Sequence, residues 1–146
     1  MPRFAANITF LFTEVPFLER FEAAARAGFR GVEFHYPYAV DPREIRRRLE
    51  AFDLCPVLMN IRAGDPARGE WGFACLPGRE AIFRDCVSEA IQYARQVGIR
   101  QLNCLAGVKP AAVEVRACEV TLVENLRRKR IRRGRPDPQS RSPQHP

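Results

Sequence analysis

The chain has 146 residues, 46% of them hydrophobic and 28% charged, with a formal net charge of +7. This composition suits one globular domain with enough apolar residues for a core, and it excludes a chain disordered throughout. Residues 1–126 hold 16 basic and 16 acidic side chains, whereas residues 127–146 hold 8 basic residues and one acidic residue, so the whole excess lies in the tail. The basic isoelectric point therefore describes the tail and says little about the domain.

From the N-terminus, Phe4 to Phe12 reads as a strand followed by its exit loop. Pro16 to Ala27 reads as a helix: Pro16 suits the first turn, Phe17, Leu18, Phe21, Ala24 and Ala25 form an apolar stripe, and Gly28 suits the position after the C-cap. Gly31 to Phe34 is a short second strand. Asp41-Pro42-Arg43-Glu44 is a helix start, with Asp as N-cap, Pro at the first position and Glu at the third. Ile45, Leu49 and Phe52 mark that helix's buried side, and Arg46-Arg47-Arg48 its solvated face.

Leu54 to Met59 is an apolar run of strand length, and Asn60 to Gly78 is a long Gly-containing loop of the kind that is usually functional or disordered. Arg79 to Val97 is the clearest helix, ended by Gly98. Gln101 to Leu105 is a fourth strand, and Val113 to Arg127 a fourth helix with Val115, Cys118, Leu122 and Leu126 on its apolar side. Strand and helix thus alternate four times, which implies an α/β fold with parallel strands joined by right-handed crossovers. An open doubly wound sheet and part of a (β/α)8 barrel both fit, since a whole barrel needs about 250 residues. No G-x-G-x-x-G follows the first strand and no G-x-x-x-x-G-K-[ST] occurs, so the two common nucleotide-binding loops are not supported.

Five cysteines (Cys55, Cys75, Cys86, Cys104, Cys118) form no C-x-x-C pair, and His35 is the only histidine before the tail. A disulfide framework or a Cys/His metal site is not expected, and the thiols read as core residues. The sequence holds no run of about 18 apolar residues and its N-terminus does not read as a signal peptide, so a cytoplasmic protein without a membrane span is expected.

Several segments together resemble the hydroxypyruvate isomerase family, a branch of the xylose isomerase-like barrels. They are Gly28-Phe29-Arg30-Gly31-Val32-Glu33-Phe34, Ala63-Gly64-Asp65, Gly69-Glu70-Trp71-Gly72, Pro77-Gly78-Arg79-Glu80, Tyr93-Ala94-Arg95, Asn103-Cys104-Leu105 and Leu122 to Arg127. One departure is Met59, where some relatives carry His before the Asn. The resemblance implies an incomplete (β/α)8 TIM barrel: four β/α units over residues 1–127, followed by an unstructured Arg/Pro-rich tail over 128–146. It further implies an aldose–ketose isomerase acting on hydroxypyruvate, with 2-oxo-tetronate isomerases and sugar-phosphate epimerases as neighbouring activities. The family's two catalytic glutamates and its divalent-metal ligands lie on later strands. No catalytic residue, metal ligand or cofactor is therefore expected in this chain, and it is expected to be inactive alone.

Two readings of the tail compete. A basic arm for nucleic acid is weakly supported, because no aromatic residue is interleaved with its arginines. The other reading is a shift of reading frame, favoured by an Arg/Pro-rich composition typical of a GC-rich gene read out of frame. Asp137 to Pro146 can be encoded as GAC CCN CAG AGT CGA AGC CCN CAA CAC CC. Moved forward by one base, this reads Thr-x-Arg-Val-Glu-Ala-x-Asn-Thr, which resembles the family's glutamate-bearing fifth strand.

Barrel chemistry sits at the C-terminal ends of the strands, near which lie Asn7, Glu33, Asn60 and Asn103. The candidate substrate-binding residues are Asn60, Asp65, Arg68, Glu70 and Glu33. Asn60 suits a bond to a substrate hydroxyl or carbonyl, or a loop-start role. Asp65 reads chiefly as a turn residue, and Glu70 as a partner of Arg68 or Arg79 that closes the loop. Glu33 reads as one half of an ion pair with an arginine, and His35 as structural. Arg62, Arg68 and Arg79 are candidate clamps for a small anionic hydroxy-keto acid. Half a barrel exposes two sheet edges, so pairing with a second copy is also expected.

Overall fold

The computed structural model describes residues 3–127; the tail expected to be unstructured, 128–146, lies outside them. Four strands, β1 (Ala5–Asn7), β2 (Gly31–Phe34), β3 (Cys55–Asn60) and β4 (Leu102–Asn103), form one sheet in the order β1-β2-β3-β4. Every neighbouring pair is parallel, as the alternation of strands and helices requires. The helices are α1 (Arg20–Arg26), α2 (Pro42–Ala51), α3 (Glu80–Val97) and α4 (Val115–Arg127).

Local chemistry explains most of these boundaries. At the start of α2, Asp41 Oδ1 accepts a bond from the Arg43 amide at 2.8 Å, and Pro42 occupies the first turn. Ile45 and Leu49 are its buried side, and Arg46 and Arg47 stay in solvent. α3 buries Phe83, Cys86, Val87, Ala90, Tyr93, Ala94 and Val97, which recur at helical spacing, and Gly98 ends it in the left-handed region. The first helix differs from expectation: Phe17–Glu19 is a 3-10 turn, and α1 begins only at Arg20. The Arg20 side chain helps fix that start, because its Nε donates to the Val15 carbonyl and its Nη1 to the Ile8 carbonyl.

One face of the sheet is covered by helices. Ala6, Ile8, Val32, Phe34 and Met59 are fully buried there. Phe34 meets Phe17 and Phe21 edge to face at centroid distances of 5.8 Å. A β-bulge in β3 sets the side-chain alternation: Val32 pairs with Pro56 but Glu33 pairs with Leu58, so Val57 is the extra residue. After it, Met59 faces the helices with Phe34, and Asn60 shares the opposite face with Glu33.

The fourth helix is turned differently from the sequence expectation. Its buried residues are Cys118, Thr121 and Asn125, whereas Val115 and Leu126 are exposed. The reason is a polar anchor: Asn125 Nδ2 donates to the Ala74 carbonyl at 2.9 Å. A buried backbone carbonyl needs a donor, and supplying one points this side of α4 at the loop after β3. The cysteines are likewise not all core, because Cys55 is exposed on the open face of the sheet. Among the described residues no helix is long and apolar enough to cross a membrane.

Candidate functional site

The open face of the sheet carries a polar row at the C-terminal ends of its strands. Strand register puts Asn7 beside Glu33 and Asn60 beside Asn103. Asn7 Nδ2 donates to Glu33 Oε1 at 2.8 Å and lies 3.3 Å from His35 Nε2. Asn103 Nδ2 donates to Asn60 Oδ1 at 3.0 Å, and Asn60 is 2% exposed. One amide–carboxylate pair and one amide–amide pair thus lie along the C-terminal ends of the four strands.

Glu33 does not have the arginine partner expected from the sequence: among the described residues its ion-pair role is replaced by the bond from Asn7. The two residues share a face and a register position, whereas arginine is absent from the open face of β1, β3 and β4. Asn7 and Asn103 were legible as strand-end residues. The structure adds that each is joined to one of the candidates Glu33 and Asn60.

The other three candidates build the loop after β3. Asp65 Oδ1 accepts from the Ala67 amide at 2.9 Å and caps a 3-10 turn over Pro66–Arg68. Glu70 Oε2 accepts from the Asp65 amide at 3.0 Å, and its other oxygen lies 4.0 Å from Arg79 Nη2. Glu70 therefore folds back into its own loop. Arg68 lies in the same turn and is exposed. The loop is pinned to the segment after β4 by an antiparallel bridge between Gly72 and Ala106 and by the Cys75 amide donating to the Ala106 carbonyl at 2.7 Å.

A side-chain network behind the polar row holds Asn60 in place. The Tyr38 hydroxyl donates to the Asn60 carbonyl at 2.7 Å. The Arg62 guanidinium stacks over the Tyr38 ring at 4.4 Å and donates twice to the Glu89 carboxylate, at 2.9 and 2.8 Å. Tyr93 donates to the carbonyls of Pro37 and Val40, fixing the turn that carries Tyr38. Burial raises the pKa of both tyrosines, so their hydroxyls stay protonated donors. Arg62 is consequently committed to Glu89 and is not a free clamp for an anion. No sequence motif signals this network, because its members lie on β3, the loop after it, α3 and the turn after β2.

Two outcomes follow for this network. Replacing Tyr38 by Phe removes the donor to the Asn60 carbonyl and should lower stability by about 1 kcal/mol, read as a lower urea midpoint with an unchanged slope. Hydrogen bonding from Arg62 holds Glu89 below the ordinary glutamate value of 4.5. A lowered carboxylate pKa stabilises the fold above the unfolded value and loses that contribution as pH falls through the folded one. Stability should therefore decline as pH drops below 4.5, and Glu89→Gln should flatten that limb. The effect should stay below about 1 kcal/mol because both partners are half-exposed and screened.

The described residues do not fit a divalent metal ion: no group of three or more His, Cys, Asp and Glu side chains converges among them. On this face Asn7 sits against both Glu33 Oε1 and His35 Nε2.

Parallel β/α units with polar residues at the strand ends and a long loop over them define the first half of a β/α-barrel of the kind that places its site at this end. The family model for the xylose isomerase-like TIM barrel matches residues 21–129, and the chain belongs to that family. Hydroxypyruvate isomerase from Escherichia coli (strain K12) is 52% identical over 127 residues, covering 87% of this chain and 49% of that protein. A 2-oxo-tetronate isomerase from Cupriavidus necator is 47% identical over 126 residues, covering 86% and 48%. The crystal structure titled AP endonuclease, family 2, from Brucella melitensis superposes with a TM-score of 0.84 at 49% identity, covering 87% of this chain and 49% of that one. The chain spans about half the length of the curated relatives it matches.

Proposed function

We propose that this chain supplies the first four β/α units of an aldose–ketose isomerase barrel that interconverts hydroxypyruvate and tartronate semialdehyde. The observation that carries the reading is the 52% identity to a hydroxypyruvate isomerase across 127 residues. The reaction moves a proton between adjacent carbons, and a carboxylate base with donors to the enediolate oxygens is the chemistry it needs. In this reading Asn60 and Asn103 face the substrate's oxygens, and Glu33, held by Asn7, takes a hydroxyl. The bases themselves come from strands beyond β4, so the 146-residue chain alone is inactive. The Arg/Pro-rich tail is then the out-of-frame continuation of the gene.

A DNA read from the Leu126 codon onward tests the last point: the shifted frame must encode the glutamate-bearing segment and about 110–130 further residues. Expression of the restored frame should give hydroxypyruvate isomerisation, with 2-oxo-tetronates assayed beside it because of the 47% identity to such an isomerase. A restored protein that turns over neither substrate overturns the assignment.

A further inference from the structure

We propose that His35 is a positioning residue: as the neutral imidazole with its proton on Nδ1, it accepts from Asn7 and thereby fixes the aim of the Glu33 carboxylate. The use of that aim rests on the reading in which Glu33 takes a substrate hydroxyl. The hydrogen-bond chain itself does not.

The Asn7 amide can be turned only one way. An amide oxygen accepts and an amide nitrogen donates. The Thr9 backbone amide donates to Asn7 Oδ1 at 3.1 Å, so Oδ1 is the accepting end. At the other end Nδ2 lies 2.8 Å from Glu33 Oε1, a carboxylate oxygen that accepts. One of the two Nδ2 hydrogens is used there, and Nδ2 also lies 3.3 Å from His35 Nε2. A ring nitrogen opposite an amide N–H must offer its lone pair, which puts the ring proton on Nδ1. The Nε2–H form, which an imidazole free in water favours, would set two donors against each other.

The surroundings hold the ring for this bond. The His35 backbone amide donates to Thr9 Oγ1 at 2.7 Å. Thr9 therefore binds both partners, Asn7 through its amide and His35 through its hydroxyl. Phe10 meets the imidazole edge to face at 5.2 Å, and Tyr36 at 5.9 Å. Tyr36 stands in the left-handed region at φ +35°, a conformation that costs a bulky residue free energy and persists only where its surroundings impose it. Asn7 and Glu33 are register partners on neighbouring strands, so a fixed Asn7 amide fixes where Oε1 points and leaves Oε2 for a ligand hydroxyl. Without His35 the second Asn7 hydrogen has no acceptor on this side, and the amide is free to turn away from Glu33.

Long-range proton–nitrogen correlation spectra of the isotope-labelled chain provide the test, at about pH 8.5, where an ordinary imidazole is neutral. The chain has two histidines, and the signal lost in His35→Gln is that of His35. The expected result is the Nδ1–H form. Asn7→Asp puts an acceptor where the amide put a donor and should move the proton to Nε2. Scalar couplings about Glu33 χ1 read the aim of the carboxylate. They should report one staggered rotamer in the unaltered chain and in His35→Gln, whose amide oxygen can still accept, and an average in His35→Leu. A histidine that only filled space would leave those couplings unchanged. An Nε2–H ring in the unaltered chain, a tautomer unmoved by Asn7→Asp, or equal Glu33 couplings in His35→Leu and the unaltered chain overturns the proposal. The first of these needs no variant, so it decides even if a variant fails to fold. No substrate enters the measurement: loss of the isomerase assignment would leave the Nδ1–H result standing, and an Nε2–H ring would leave the isomerase assignment standing.

Discussion

Gly72→Ala should unfold the loop after β3 and lower the stability of the whole sheet by about 3 kcal/mol or more. Gly72 has φ +115°, a region that L side chains rarely adopt. A Cβ added there would sit on the Leu105 carbonyl, with the carbonyl carbon at 2.6 Å and the Gly107 amide nitrogen at 2.9 Å. These are backbone atoms and cannot rotate away. Relief would require breaking the bridge to Ala106, which also carries the bond from the Cys75 amide. The loop and the segment after β4 would separate, and α4, anchored to the Ala74 carbonyl through Asn125, would lose its dock. The measurement is a urea titration followed by far-UV circular dichroism, with Gly69→Ala as comparison. Gly69 also has a positive φ, but no atom lies within 4 Å of its added Cβ, so only backbone strain of roughly 1 kcal/mol should appear. Equal losses in the two variants would show that the crossing with Leu105 does not hold the loop.

Phe34→Ala should cost about 3–5 kcal/mol, enough to unfold a domain of ordinary stability. The side chain is fully buried on the helix-covered face and meets Phe17 and Phe21 edge to face. Truncation leaves a cavity between β2 and α1 that backbone cannot fill. Phe34→Leu keeps much of the volume and should cost less, by a factor of two or more. Thermal melts of the three proteins would rank them. A ranking in which Leu is no better than Ala would mean that the ring contacts, and not filled volume, carry the energy. Glu33→Gln, one residue earlier on the opposite face, should leave the melt nearly unchanged, because its carboxylate accepts one bond from Asn7 at the open rim and the amide oxygen can accept the same bond.

The local elements of this protein are written in its sequence. Asp41-Pro42 starts α2 because a side-chain acceptor and a residue without an amide suit a helix N-terminus. The seven buried residues of α3 recur at helical spacing, and Gly98 takes the left-handed turn that ends it. Four alternating units were enough to give a parallel sheet, and the segments that resemble hydroxypyruvate isomerases gave the family. Three decisions belong to the tertiary structure. The face that α4 buries depends on a donor for the Ala74 carbonyl, which the spacing of Val115, Cys118, Leu122 and Leu126 does not show. Asp65, read chiefly as a turn residue, and Glu70, read as closing the loop, take their bonds from a loop that folds back on itself, and that fold decides which backbone amides they accept from. Above all, the bulge at Val57 decides that Asn60 and not Met59 joins Glu33 at the rim. A two-residue period carries no mark of an inserted residue, so strict alternation from Cys55 would have put Met59 there. Only the pairing of β3 with β2, a contact between segments more than 20 residues apart, supplies that information.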